Sequence, residues 1–186
     1  LYFSTMAIYG EIKDKWITEK TPSRNPNIYG ASKLAAEREL EAWSKLHPEC
    51  HCITVRLPGV VGREAKDTFL PRTVQKILYG ETVTVYHKNA MFNNLVHVED
   101  IAKFTGEWPL VASKGYSCFN VASKGPIHLQ AVVEILMEML NKEVPVREKK
   151  HGSKPFLINT NLAHKKGFPL DTTLNSLKRY AWEVIN

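Results

Sequence analysis

The sequence predicts an α/β protein that holds part of a doubly wound parallel sheet, followed by a smaller α/β region. Residues 1–10 form an apolar run that turns to hydroxyl residues and then to Tyr-Gly, as a buried strand does at its end. A second apolar run, residues 52–57, ends in a loop of small residues at 58–62. Because a helical segment lies between the two strands, the three elements form a βαβ unit, in which ligands bind beyond the carboxyl ends of the strands.

The helix between the two strands is predicted to begin after Asn27 and to end near Leu46, before His47-Pro48. An asparagine side chain accepts hydrogen bonds from the first free amides of a helix, so Asn27 is the expected cap. The apolar contacts of the helix are assigned to Ile28, Leu34, Ala35, Leu40 and Trp43.

The chain is divided into a sheet region, residues 1–62, and a second region, residues 63–186, parts of which return to the sheet. In chain order the second region is predicted to hold a helix, a strand and two more helices, at residues 70–79, 82–86, 129–140 and 174–184. We find no internal repeat.

Composition is typical of a soluble globular protein, with 186 residues of which 44% are hydrophobic and 24% charged. No run of about eighteen apolar residues occurs, and the chain does not open on a basic segment before an apolar one. We therefore expect no membrane span and a cytoplasmic location. The three cysteines, Cys50, Cys52 and Cys118, form no paired framework and are predicted to be free thiols.

The net charge is +6, and its densest run is residues 147–154. This run is predicted to be a solvated loop, and a basic surface would also steer an anionic ligand toward a site. No helix carries basic residues along one face and no basic strand is interleaved with aromatic residues, so nucleic acid is not an expected partner.

The pentad Tyr29-Gly30-Ala31-Ser32-Lys33 is the strongest chemical signal. Residues four apart on a helix share one face, so the spacing places an ammonium beside a phenol and favours the phenolate form. A tyrosine in that environment can exchange a proton with a substrate. Taken alone, the same spacing is also common on ordinary helix surfaces.

Four phrases place the pentad in a wider pattern: STMAIYG, NPNIYGASKLAAE, VRLPGVVG and NNLVHVEDIA. In this order they resemble the extended branch of the short-chain dehydrogenase/reductase superfamily, the NAD-dependent epimerase/dehydratase group, and the likeness covers nearly the whole chain. The resemblance implies a Rossmann-type sheet with a substrate-binding region, NAD or NADP as cofactor, a nucleotide sugar as substrate, and a homodimer.

The resemblance also implies site residues. Tyr29 is the expected acid/base, Lys33 is expected to bond the nicotinamide ribose, and Thr5 to orient the substrate oxygen. Expected walls of the nicotinamide pocket are Pro58, Gly59, Val60 and Val61. Expected substrate contacts are Thr5, Met6, Arg72 and Asn93.

Several positions depart from the group's pattern. Dehydratases of the group place an Asp-Glu pair where this chain has Met6 and Ala7, so epimerase or keto-reductase chemistry is favoured. Many nucleotide-sugar members carry asparagine at the position of Gly59 and a phosphate-binding arginine at that of Asn93. Either Arg63, Lys66 or Arg72 takes over the phosphate contact, or the substrate is not a nucleotide sugar.

The glycine-rich turn G-x-x-G-x-x-G, which binds the pyrophosphate of a dinucleotide, does not occur in the sequence. We therefore expect the first strands of the sheet to lie outside this chain. The choice between NAD and NADP stays open, because the residue that contacts the ribose 2′ position would also lie outside it.

Two clusters invite other interpretations. His97 lies at the end of a predicted strand and is expected to be structural, with Asp100 capping the next helix. A metal site at residues 47–52 is disfavoured, because its histidines and cysteines lack the paired C-x-x-C spacing.

The sequence therefore favours an NAD(P)-dependent epimerase or keto-reductase acting on a nucleotide sugar. Two alternatives stay open: a non-catalytic binding or scaffold member of the same fold, and an oxidoreductase acting on a non-sugar carbonyl.

Overall fold

A three-stranded parallel sheet, with strand order β1-β3-β8, forms the centre of the amino-terminal part. We describe the chain from a computed structural model, which covers residues 1–107, 114–149 and 154–186. The strands are β1 (Tyr2–Thr5), β3 (His51–Leu57) and β8 (Gly115–Asn120). Strand β8, which follows residue 62 in the chain, thus contributes to this sheet by pairing with β3.

The first strand is shorter than the apolar run predicted. It ends at Thr5, and Met6–Tyr9 form a 3-10 helix that Thr5 caps. Met6, Ile8 and Tyr9 are still buried, so the apolar run marks core residues across a change of secondary structure. The following β2 (Trp16–Ile17) pairs in parallel with the late strand β11 (Leu157–Ile158).

The long helix α1 (Ile28–Leu46) has the predicted bounds, and the Asn27 side chain accepts a hydrogen bond from the amide of Gly30 at 2.8 Å. The assignment of its apolar contacts was wrong in part, because Ile28, Ala35 and Trp43 are exposed. The buried line of the helix is instead Gly30, Glu37 and Ser44, spaced seven residues apart. Glu37 lies on the buried face because its carboxylate binds the guanidinium of Arg56 in β3. The apolar pattern of the helix therefore does not mark its buried face.

The second region packs helices against short strands. Residues 58–62, predicted to be a loop, include strand β4 (Gly59–Val61), which pairs with β7 (Leu95–His97). The predicted elements appear within two residues of their expected ends. The remaining elements are α2 (Phe69–Leu78), β5 (Val83–Tyr86), β6 (Met91–Phe92), α3 (Val98–Glu107), β9 (Ile127–His128), α4 (Leu129–Met139), β10 (Val146–Lys149), α5 (Asn161–Lys165) and α6 (Thr173–Ile185).

The main core of this region lies between α2, α4 and α6. It contains Ile77, Leu95, Leu136, Leu177 and other buried apolar side chains. A second cluster covers the face of β3 and β8 that lies opposite α1, and it includes Val55 and Phe119. The domain boundary near residue 62 stays a prediction.

Part of the basic run is ordered differently from the solvated loop predicted. Residues Val146–Lys149 form the exposed strand β10, which pairs in parallel with β5, while residues 150–153 lie outside the described part. Cys50, Cys52 and Cys118 are free, as predicted. Among the helices in the described ranges, none is both long enough and apolar enough to cross a membrane.

Candidate functional site at the end of the first strand

The start of α1 lies directly against the 3-10 helix. A Cβ atom added to Gly30 would lie 2.3 Å from the carbonyl oxygen of Ala7, a distance that no side chain can occupy. Glycine at position 30 therefore permits the approach of the two elements. This contact brings the first turn of α1, which carries Tyr29, alongside the end of β1.

Tyr29 and Lys33 lie on the same side of α1, as their spacing predicts. The Lys33 Nζ lies 5.9 Å from the centre of the Tyr29 ring and 4.9 Å from that of Tyr2. It also donates a hydrogen bond to the main-chain oxygen of Phe3 in β1 at 2.9 Å. The ammonium thus lies between the Tyr29 ring and the strand, while Tyr29 itself is 55% exposed and accessible to a ligand.

Thr5 ends β1 and its Oγ1 accepts a hydrogen bond from the amide of Ala7 at 3.2 Å. This leaves the hydroxyl proton of Thr5 free to be donated. Its neighbour Ser4 is buried, and the Ser4 Oγ has no hydrogen-bond partner among the described residues. Met6 belongs to the core cluster with Ile8. Thr5 is therefore the better placed of the two hydroxyl residues, and the Met6 side chain faces the interior.

A buried ion pair, which the sequence analysis did not identify, fastens α1 to the sheet. The Arg56 guanidinium donates to both carboxylate oxygens of Glu37, at 2.7 to 3.2 Å. Its Nη1 also donates to the Tyr9 hydroxyl at 2.9 Å, and that hydroxyl donates to the Asn120 Oδ1 at 2.7 Å. The network joins the helix of Tyr29 and Lys33 to β3, β8 and the 3-10 helix.

A signal for this pair was present in the sequence. Arg56 stands inside a buried apolar strand, and a buried guanidinium requires a carboxylate partner. Glu37 follows Lys33 by one turn of the same helix, where it can reach the sheet.

Burial perturbs the titratable groups around the network. Burial raises the pKa of Tyr9 to about 12, although the Arg56 charge opposes the shift. Burial also raises the pKa of the Cys118 thiol to about 12, against the same opposing charge. Burial alone would lower the pKa of Arg56, but the hydrogen bonds with Glu37 raise it overall. Tyr9 therefore stays protonated and Arg56 charged at neutral pH, so neither exchanges protons there.

Beyond β3, residues Gly59 and Val61 line a cavity of about 460 Å³. Its walls are largely apolar and aromatic, and the rings of Phe69 and Phe92 meet edge to face with centres 6.0 Å apart. Lys154 adds a cation. Leu57, the register partner of Thr5 at the ends of β1 and β3, precedes the cavity residue Gly59 by two positions. Pro58 and Val60, the other predicted wall residues, are half-buried in the same turn.

The other predicted substrate contacts lie elsewhere. The buried Asn93 amide donates to the Ile158 main-chain oxygen at 2.9 Å and accepts from the Ile158 amide at 3.0 Å. It borders a second cavity, also about 460 Å³. Arg72 lies on α2, 3.8 Å from the Asp67 carboxylate, and is absent from the described walls of the first cavity. Arg63 borders a third cavity, and the side chain of Lys66 is exposed.

His97 is fully buried, and its environment supports a structural role. Its Nδ1 accepts a hydrogen bond from the Glu99 amide at 3.3 Å, so its Nε2 carries the proton that faces Glu183 at 3.2 Å. The carboxylates of Glu99 and Glu183 come close enough to His97 for a shared ion, but both imidazole nitrogens are engaged. Asp100 was predicted to cap α3, and this was wrong. It lies inside the first turn of α3 and pairs with Arg179 at 2.8 Å.

The chain thus combines a parallel sheet with a tyrosine and a lysine on one side of the following helix and a hydroxyl residue at the strand end. The family model for the NAD dependent epimerase/dehydratase family matches residues 1–105. The chain belongs to that family, which confirms the resemblance seen in its sequence.

Among curated relatives, the chain is 25% identical over 145 residues to an N-acetyl-alpha-D-glucosaminyl-diphospho-ditrans,octacis-undecaprenol 4-epimerase from Escherichia coli O157:H7. The match covers 78% of this chain and 43% of the relative. The chain therefore spans less than half the length of this curated relative.

Solved structures share the fold. A UDP-N-acetylglucosamine 4-epimerase from Methanobrevibacter ruminantium in complex with UDP-N-acetylmuramic acid superposes with a TM-score of 0.80 at 19% identity, over 99% of this chain and 62% of that one. RMD from Pseudomonas aeruginosa, complexed with NADPH, gives 0.79 at 18% identity, over 100% and 66%. The described sheet is thus part of a Rossmann-type fold.

Proposed function

We propose that this chain is part of an NAD(P)-dependent epimerase or keto-reductase that acts on a nucleotide sugar. One observation carries the proposal: the Lys33 ammonium lies between the Tyr29 ring and β1, at the strand end where Thr5 offers a hydroxyl proton. An exposed phenol, a cation and a hydroxyl at one sheet edge are the groups that oxidation of an alcohol requires.

The chemistry assigned to these residues is proton transfer. Removing hydrogen from a sugar alcohol sends a proton to a base, so a base must lie within hydrogen-bond reach of the hydroxyl. Tyr29 takes that proton and returns it to the ketone, while Lys33 stabilises the phenolate charge. Thr5 donates to the substrate oxygen and orients it. The bound nicotinamide supplies the hydride acceptor and donor.

The residues present fit one end of such a cofactor. Among the described residues, the Lys33 Nζ donates to a main-chain carbonyl and lies over two aromatic rings, so it can also bond a ribose hydroxyl. Pro58 to Val61 are proposed to form the nicotinamide wall.

The cavity supports a nucleotide sugar as substrate. Clefts of about 300 to 1,000 Å³ with apolar walls and a few polar groups are typical of small-molecule sites. Its aromatic walls suit a planar base, and Lys154 suits a diphosphate. Met6 and Ala7 offer no acidic group for the elimination of water, so epimerase or reductase chemistry is preferred to dehydration.

The test is a thermal-shift screen of the 186-residue chain with UDP-, dTDP- and GDP-sugars. A ligand present at 100 times its Kd stabilises the folded state by about 2.7 kcal/mol. For a chain of this size that raises Tm by about 5 to 11 °C. If none of these compounds shifts Tm, the nucleotide-sugar proposal fails, and a non-sugar carbonyl substrate or a non-catalytic role is favoured.

We also propose a homodimer that pairs through α1. Its outer face exposes an apolar stripe at helical spacing, with Ile28 91% and Leu46 78% exposed and small exposed residues at Ala31, Ala35 and Ala42 between them. Such a stripe packs well against a second helix, because small residues permit close approach. Light scattering should give twice the chain mass, and Ala35→Arg should halve it; a monomeric parent chain would contradict the dimer.

A further inference from the structure

Asn94 lines the cavity, and its side-chain oxygen is unpaired among the described residues. The residue lies between β6 and β7, and its Nδ2 donates to the main-chain oxygen of Phe156 at 3.4 Å. This bond fixes which end of the amide is free. The Oδ1 is buried and has no hydrogen-bond partner among the described residues, although Asn94 lines the cavity of about 460 Å³. A buried acceptor without a partner is unfavourable until a ligand supplies a donor.

Gly59 leaves the space beside Asn94 open. A Cβ atom added to Gly59 would lie 3.3 Å from the Asn94 main-chain oxygen and 4.0 Å from the Thr68 Oγ1. A side chain at position 59 would therefore project into the corner between these two residues. Thr68 is exposed at the start of α2, and its side chain makes no capping hydrogen bond. The corner thus combines one unpaired carbonyl oxygen with one free hydroxyl.

The position of the corner relates it to the reaction. Leu57 pairs with Thr5 across β1 and β3, and Gly59 follows two residues later. Among the described residues that line the cavity, Gly59 is therefore the nearest along the chain to the strand ends where proton transfer is proposed. An amide oxygen repels the oxygens of a diphosphate, but it accepts hydrogen bonds from hydroxyl groups.

We infer that Asn94 Oδ1, together with Thr68 Oγ1, binds hydroxyl groups of the substrate's sugar ring and so helps to determine which sugar is accepted. This rests on the proposed function, in which the cavity takes a nucleotide sugar. Asn94, just before β7, supplies a polar contact that Gly59 cannot supply because it has no side chain. The two residues bind substrate and take no part in the proton transfer.

The test compares a nucleotide sugar with its own nucleoside diphosphate. Isothermal titration of the 186-residue chain measures Kd for UDP-glucose, UDP-N-acetylglucosamine and UDP, or for the dTDP or GDP counterparts if these give the larger thermal shift. Asn94→Leu should raise Kd for the nucleotide sugar about tenfold, which corresponds to about 1.4 kcal/mol, and leave Kd for the diphosphate within about twofold. Thr68→Val should raise the sugar nucleotide's Kd about threefold.

One control accompanies these variants. Asn161→Leu changes an exposed asparagine at another cavity and should alter neither Kd. Thr68→Val is nearly isosteric at an exposed position, so it carries the test if Asn94→Leu does not fold. Equal weakening of sugar nucleotide and diphosphate, or no weakening of either, overturns the inference and leaves the proposed function standing. Failure of the parent chain to bind any of these compounds overturns both.

Discussion

The buried pair between Arg56 and Glu37 should hold α1 on the sheet, and Glu37→Gln tests this. The glutamine keeps the size of the side chain but removes the charge that faces the guanidinium. Side-chain exposure of the pair is only 9% and 2%, so water cannot replace the lost partner. Leaving a buried charge uncompensated costs about 3 to 5 kcal/mol. For a chain of this size, Tm should fall by about 6 to 20 °C.

A matched control lies one turn further along α1. Glu41, whose side chain is 31% accessible, accepts a hydrogen bond at 2.9 Å from Arg38, whose side chain is 71% accessible. Because exposed pairs contribute about 0 to 1 kcal/mol, Glu41→Gln should lower Tm by no more than about 4 °C. Differential scanning calorimetry of both variants makes the comparison.

Two outcomes would contradict a role of the Arg56–Glu37 pair in holding α1. If Glu37→Gln lowers Tm no more than Glu41→Gln, the Arg56 pair does not fasten the helix. Replacing both members by methionine should cost less than replacing Glu37 alone, because no unpaired charge then remains. A double variant as unstable as the single one would refute the argument from unpaired charge.

Three further predictions concern the same elements. Gly30→Ala places a Cβ 2.3 Å from the Ala7 carbonyl oxygen and should lower the free energy of unfolding in urea by about 1 to 3 kcal/mol. Gly106→Ala, which has open space around the added Cβ, should not destabilise the fold. A tolerated Gly30→Ala would mean that α1 and the 3-10 helix can separate freely. In the intact protein, Tyr29→Phe should lower kcat by about 10² to 10⁴ with little change in cofactor affinity, and Lys33→Met should lower both kcat and cofactor affinity. Tyr79→Phe, at an exposed position, is the control. Activity retained in Tyr29→Phe would remove that residue as the acid/base. Because the folded-state pKa of Tyr9 is raised from 10.0 to about 12, the neutral phenol contributes about 2 to 3 kcal/mol to the free energy of unfolding. This contribution is complete below pH 10 and is lost as pH rises to 12. Urea unfolding between pH 9 and 12 measures the loss, and a Tyr9→Phe chain should lose less stability over that interval.

The ends of α1 were predicted correctly because residues next to them in the sequence determine where the helix begins and ends. Asn27 caps α1 and the chain ends that helix before Pro48, both of which are short-range effects. The wrong assignment of Ile28, Ala35 and Trp43 to the core has a different origin. A single-sequence pattern shows that a face is apolar, but not whether this chain or another molecule covers it.

Some residues of the candidate site were predicted from the sequence and others were not. Tyr29, Lys33 and Thr5 were assigned from the resemblance to the family, and their roles stay predictions, although the structure does place Lys33 beside the Tyr29 ring. Arg72 and Asn93 were placed by analogy with a phosphate-binding arginine, and the structure directs their side chains to Asp67 and to the Ile158 backbone instead. Asn94 escaped notice, because an unpaired buried oxygen is a property of three-dimensional packing that no spacing reveals.

The buried line of α1 has a consequence for how this helix can vary. Gly30, Glu37 and Ser44 are buried at intervals of seven: Gly30 lies against Ala7, Glu37 binds Arg56 of β3, and the Ser44 hydroxyl donates to the Glu41 main-chain oxygen. The opposite side touches little of this chain. A deep mutational scan of fold stability along α1 should therefore show intolerance at these three positions and at Leu34, which packs against the core cluster of Met6 and Ile8, with broad tolerance on the exposed face. Evolution could then exchange the outer surface, and with it the helix's partners, without disturbing Tyr29 and Lys33.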